Sequence, residues 1–267
     1  FGLLAPMTTH RSPLFELADT YVDTSARMSP MTCTDLGIPG YDDQLDTFTI
    51  EEANKEANYS RDVVKQAKGL TPTDEIDRIS QAVLVERLES RLKLHDSKEN
   101  FVTYSPIVNP ASYIRQIFTI MPTEGDKAIG NVTSRLNQVG KALDGWKSTL
   151  IEMDALGLKT ARRQVLVVAD QLKTYADGGW EKMAQKMDPF NKYPELHTAA
   201  KSAAQASGVM SEWMRNTHAP RSAEADGVGE ERYKPWARYF TGADLDLKNT
   251  YEWGLEDLAR INDRMYK

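Results

Sequence analysis

The sequence predicts an all-α protein, a multi-helix array with long antiparallel helical hairpins. Three observations carry that prediction. Apolar residues recur at steps of three and four through nearly every segment. Capping residues and prolines stand at the starts of those runs. No alternating strand, hairpin turn or internal repeat interrupts them.

Ser12-Pro13 reads as an N-cap followed by proline in the first turn, and Leu14, Leu17, Ala18, Tyr21 and Val22 form one face up to about Met28. Residues 30–48, with Pro30, Gly37, Pro39, Gly40 and the tripeptide Tyr41-Asp42-Asp43, read as a loop long enough to be functional. Thr49 with Glu52 makes a capping-box pattern that opens a helix to Gly69. Thr71-Pro72 is expected to start the next helix, with Ile76, Ile79, Val83, Leu84, Leu88 and Leu92 on one face. Asp74 with Arg78 and Glu89 with Lys93 are spaced as i, i+4 ion pairs. An irregular stretch over 96–108 leads to Asn109-Pro110. The short helix after it, carrying Tyr113, Ile114, Ile117, Phe118 and Met121, is too apolar for a surface and stops at Pro122.

The strongest pattern follows. Ile129, Val132, Leu136, Val139, Leu143, Trp146, Leu150 and Met153 fall at alternating steps of three and four, a stripe that needs a partner helix. The expected partner is the next helix, capped by Thr160 and carrying Val165, Val168, Leu172 and Tyr175, because a short loop around Gly157 makes antiparallel neighbours. Gly178-Gly179 should end it. Leu196, Ala199, Ala203, Ala206, Met210 and Trp213 then form a small-residue face able to pack closely, and residues 215–228 read as a linker. Tyr233, Trp236 and Phe240 mark a short helix. A last helix starts near Asp246 and carries Leu247, Tyr251, Leu258, Ile261 and Met265 to the chain end with no stop signal. The expected division is a helical region over 1–217, a linker over 218–228 and the start of a further helical region over 229–267.

Composition excludes several function classes. With 33 basic and 39 acidic side chains, the net charge of −6 lacks the basic excess of a nucleic-acid binder. Cys33 is the single cysteine, so no internal disulfide or cysteine-based metal cluster can form. His10, His95, His197 and His218 are scattered, and none pairs with another at i, i+4. No stretch approaches the ~20 apolar residues of a membrane span, and residues 1–6 are too short for a signal peptide. The expectation is a reduced, cytoplasmic setting.

Local chemistry is sparse. Cys33 has no base beside it in sequence and reads as an inert thiol. His95-Asp96 could be a base and its orienter, although a histidine at that place commonly just favours a helix C-terminus. Asp42-Asp43 in a Gly/Pro loop could take part in acid–base work or hold a cationic group, although such pairs are usually turn residues. Arg162-Arg163 oppose a helix dipole, so an acidic partner elsewhere is expected for one of them.

Several segments together resemble the bacterial domain-of-unknown-function 885 family in its actinobacterial branch. They are Leu36 to Leu45, Asp77-Arg78 with Glu86-Arg87-Leu88, Ile114-Arg115 through Thr123, Ala161 to Val165, Val228 to Tyr233, and Thr250 to Ile261. Members of that family are about twice as long and resemble helical gluzincin-like zinc metallopeptidases, with a His-Glu-x-x-Pro-Gly-His-His motif in the second half. By that resemblance the chain is an N-terminal half. Zinc belongs to the other half, and no catalytic or metal residue is expected here. Tyr41, Asp42, Asp43, Glu230, Arg232 and Tyr233 are the candidates to face a substrate cleft. The implied partners are the C-terminal half and a peptide, with neither nucleic acid nor membrane. The residues alone also admit a non-catalytic helical binding or scaffold module.

Overall fold

In the computed structural model, residues 12–266 are described; residues 1–11, with His10, and Lys267 lie outside them. The described chain is helical throughout, with one isolated bridge between Ala161 and Ala223 and no sheet. Among the described residues no helix is long and apolar enough to cross a membrane.

Helix α1 (Pro13–Met28) is capped by Ser12, whose hydroxyl accepts from Phe15 N and also donates to Asp77. The expected loop at 30–48 instead begins with α2 (Pro30–Asp35), because Ser29 caps Thr32 N and Pro30 occupies the first turn. The irregular part is therefore confined to residues 36–49. α3 (Ile50–Gly69) and α4 (Glu75–Asp96) form a long antiparallel hairpin. α4 starts at Glu75 rather than at Pro72, since Asp74 accepts from Asp77 N as the true cap. That use of Asp74 leaves Arg78 to pair with Glu75, while Glu89 bridges to Lys68 on α3 instead of to Lys93. The expected apolar face of α4 is divided. Leu88 is buried, whereas Ile76, Ile79 and Val83 are exposed.

The stretch 96–108 contains a one-turn helix, α5 (Glu99–Val102). α6 (Pro110–Ile120) opens on a reciprocal Asn109–Ser112 capping box and buries Ile114, Ile117 and Phe118, while Tyr113 stays 47% exposed. The core is built on α7 (Asp126–Ala155). All eight residues of its stripe are buried.

The partner of α7 is not α8 (Arg162–Thr174) but α10 (Pro194–Trp213). The buried face of α10 is Leu196, Ala199, Ala200, Ala203, Ala204, Ser207, Met210 and Ser211, and such small side chains let two backbones approach closely. A Cβ on Gly140 of α7 would sit 3.6 Å from Ala206. α8 packs on α10 as well, where the Ser211 hydroxyl donates to the Ala169 carbonyl at 2.6 Å. Thr160 does not cap α8; its hydroxyl donates to the Val102 carbonyl at 2.6 Å and ties the helix entry to α5.

At Gly178-Gly179 the chain makes a wide turn and continues directly into α9 (Trp180–Met187). Residues 214–221 form a second wide turn and a short 3₁₀ segment, with Met214, His218 and Ala219 buried. α11 (Glu230–Thr241) packs against α4. α12 (Leu247–Met265), capped by Asp246, has no buried residue.

A carboxylate and aromatic cleft between α3 and α7

The two groups of sequence candidates lie far apart. The 41–44 loop is fastened to the first half of α7. Arg135, fully buried, donates to the carbonyls of Pro30, Tyr41 and Gln44 and to the Thr34 hydroxyl. Ser134 and Gln138 donate to the Asp43 carbonyl at 2.8 and 2.7 Å. Asp42 accepts from Thr34 at 2.9 Å, and the Asp43 side chain is exposed beside Gln44. Backbone carbonyls of the loop, not its carboxylates, close over the buried guanidinium, while Tyr41 is half-buried.

Arg232 lies beyond the other end of α7. It grips Glu99, itself 2% exposed, through two bonds of 2.6 and 3.1 Å, and reaches the Lys159 carbonyl. Glu230 pairs with Lys234 at 2.7 Å and Tyr233 is exposed. From Gln138 to the end of α7 at Ala155 a helix rises about 25 Å at ~1.5 Å per residue. Tyr41, Asp42 and Asp43 therefore share no surface with Glu230, Arg232 and Tyr233.

Between these two ends the structure opens a cleft that the sequence did not single out. A cavity of about 240 Å³ is lined by Asp46, Phe48, Glu52, Glu56, Phe101, Tyr104 and Trp146. A second, of about 450 Å³, adjoins it across Ala53, Glu56 and Asn100 and runs to Arg91, His95, Trp236 and Tyr239. Each wall has a local cause. Glu52 and Glu56 are i, i+4 neighbours on one face of α3. Trp146 belongs to the α7 stripe and meets Tyr104 edge to face at 5.4 Å. Segment 46–49 is pinned onto α7: Thr149 donates to the Phe48 carbonyl at 2.9 Å, and Phe48 adopts φ 54°. Gly145 permits that approach, because a Cβ there would lie 2.0 Å from the Thr47 carbonyl oxygen.

The electrostatics of the cleft are lopsided. Asp46 accepts from the Ser29 hydroxyl at 2.6 Å and from Met31 N at 3.1 Å, which ties the cleft to the start of α2. Burial pushes its carboxyl above the ordinary aspartate value, and the nearby Glu52 charge pushes the same way. Glu56 is answered by Arg91 at 2.6 Å. Glu52 accepts only from Thr47 N, at 3.3 Å; among the described residues neither Glu52 nor Asp46 forms an ion pair, although the buried Arg135 acts on Asp46 and the Glu52 charge reaches Lys55. His95 contacts Asn54 at 3.0 Å. Its ring is held toward the neutral form by burial and, secondarily, by Lys98.

The remaining sequence candidates resolve simply. Cys33 is fully buried in α2 and its thiol donates to the Ala26 carbonyl, so it is inert. Asp96 pairs with Arg61 and not with His95. Arg162 and Arg163 each have an acidic partner, Glu224 and Asp226, where one was expected. Among the described residues no three His, Cys, Asp or Glu side chains converge to hold a metal.

The model of a family described as bacterial protein of unknown function, DUF885, matches residues 30–267. No curated protein matches the chain.

Proposed function

The chain belongs to DUF885, and from that membership we propose that it is the substrate-binding helical portion of a peptidase-like hydrolase. One observation carries the reading: a cleft walled by carboxylates and aromatic rings, with its lining drawn from α3, α5, α7 and the 46–49 segment. Clefts with an apolar wall and a few placed polar groups are where ligands bind. The residues that hold this cleft open are committed to structure, as Gly145, Thr149 and Ser29 show. In this reading the chain binds and orients a substrate, while the chemical step belongs to residues outside it.

A second observation supports a further docked unit. α11 and α12 carry Tyr233, Phe240, Tyr251, Trp253, Leu258 and Met265 more than half exposed, an apolar surface fit for contact with another helical region.

The test compares the gene's full product with residues 1–267 alone. The reading predicts zinc and hydrolysis of short peptides in the full product, with peptide binding but no hydrolysis in the shorter chain. A full product that binds peptide, holds no zinc and cleaves nothing would favour the alternative, a non-catalytic helical binding module using the same cleft.

A further inference from the structure

We propose that the cleft recognises a cationic side chain, an ammonium or guanidinium group carried on an aliphatic stem. This deepens the function proposed above and rests on the cleft being the binding site. The cavity of about 240 Å³ is large enough for such a side chain and has the matching chemistry along its depth. Phe48, Phe101, Tyr104 and Trp146 supply ring surface for a methylene stem, and ring faces also attract a cation. Asp46 and Glu52 supply charge at the same wall.

The state of those two carboxylates is the deciding feature. Several acidic side chains of α3 and α4 are ion-paired: Glu56 with Arg91, Glu51 with Lys55, Glu89 with Lys68. Asp46 and Glu52 form no ion pair: the Glu52 charge reaches Asp46, and the buried Arg135, which pulls the other way, is committed to the carbonyls of Pro30, Tyr41 and Gln44. Like charges held together in a half-buried wall repel, and a guest cation would relieve that repulsion where a neutral guest would not. Arg91 does not fill the role, because its guanidinium is held by Glu56 toward the adjoining cavity. An anionic guest would meet three carboxylates against one paired arginine.

The test is calorimetric titration of the chain at low salt with three probes: acetyl-Ala-Lys-Ala-amide, its norleucine counterpart, and n-pentylamine. The lysine peptide should bind at least about ten-fold more tightly than the norleucine peptide, a difference of about 1.4 kcal/mol. Glu52→Gln keeps an oxygen for Thr47 N and should remove most of that preference while leaving norleucine binding unchanged. Pentylamine separates the two sources of the charge. Affinity equal to that of the lysine peptide assigns the site to free amines, and weaker affinity assigns it to basic side chains of peptides; both support the proposal. Equal binding of the lysine and norleucine peptides overturns it and leaves the cleft itself standing as a peptide site. Failure of every probe to bind at millimolar concentration overturns both. The comparison of probes on the unaltered chain stands even if the variant folds poorly.

Discussion

Arg232 shows how the environment of a side chain decides its role. Its sequence context, Gly229 to Tyr233, carries the family resemblance, yet its guanidinium is bound to a carboxylate that is 2% exposed. Removing it would leave Glu99 buried without a counter-charge, at a cost of about 3–5 kcal/mol. Arg232→Ala should therefore lower the chain's melting temperature sharply, and a denaturant titration checks the size of the loss. Unchanged stability would mean that Glu99 finds water when its partner is gone. His218 offers a second residue-scale prediction. It is 2% exposed, stacks on Trp213 and lies 3.5 Å from Asp154, which is itself paired with Lys159. Burial pushes its pKa below the ordinary 6.5, against the pull of Asp154. The unfolded chain takes up that proton first as pH falls, so the stability His218 provides is present above pH 6.5 and is lost on acidification through its lowered pKa. Melting curves between about pH 7 and 5 should fall more steeply for the unaltered chain than for His218→Gln. Asp46 acts in the opposite sense, since a raised carboxyl pKa adds stability as pH falls.

At the scale of elements, the sequence disclosed the longer helices, because caps and 3.6-residue periodicity are local signals, and missed the short α2, α5 and α9. Ser12, Asn109 and Asp246 cap as their positions suggest. What it hid was pairing. The α7 stripe announced that it needed a partner, but adjacency pointed to α8 when shape selected α10. An alanine face brings a helix closer than the Val165, Val168 and Leu172 face of α8 does, and that is a three-dimensional criterion. The cleft was illegible for the same reason. Glu52 read as the second half of a capping box and Trp146 as core; Trp146 is core, but the Glu52 carboxylate leaves the cap, where Thr49 alone accepts from Glu52 N, and turns to Thr47 N. Their shared cavity exists only because segment 46–49 lies on α7 at Gly145. Gly145→Ala tests that dependence. Its methyl group would meet the Thr47 carbonyl at 2.0 Å, so segment 46–49 must shift. Overpacking of this kind costs about 1–3 kcal/mol, and binding at the cleft should weaken together with the loss in melting temperature. Unaltered binding would place the ligand elsewhere.

At the scale of the molecule, three parts have distinct tasks. α7 with α10 is the mechanical centre, the α3–α4 hairpin with α5 and α6 encloses the cleft against it, and α11–α12 presents an uncovered apolar face. The central claim is that ligand recognition belongs to the cleft and not to the 41–43 loop or the exposed α12. The five tryptophans are placed to decide this. Trp146 lines the inner cavity and Trp236 the outer one. Trp180 packs on Phe118, Trp213 on His218, and Trp253 is 64% exposed on α12. The direct measurement is the indole N–H spectrum of ¹⁵N-labelled protein, titrated with acetyl-Ala-Lys-Ala-amide and assigned by single Trp→Phe variants. The account predicts a saturable shift of the Trp146 resonance, a smaller one for Trp236, and none for Trp180, Trp213 or Trp253. A shift confined to Trp253, or a Trp146 resonance that stays fixed while binding is measured by calorimetry, would contradict it.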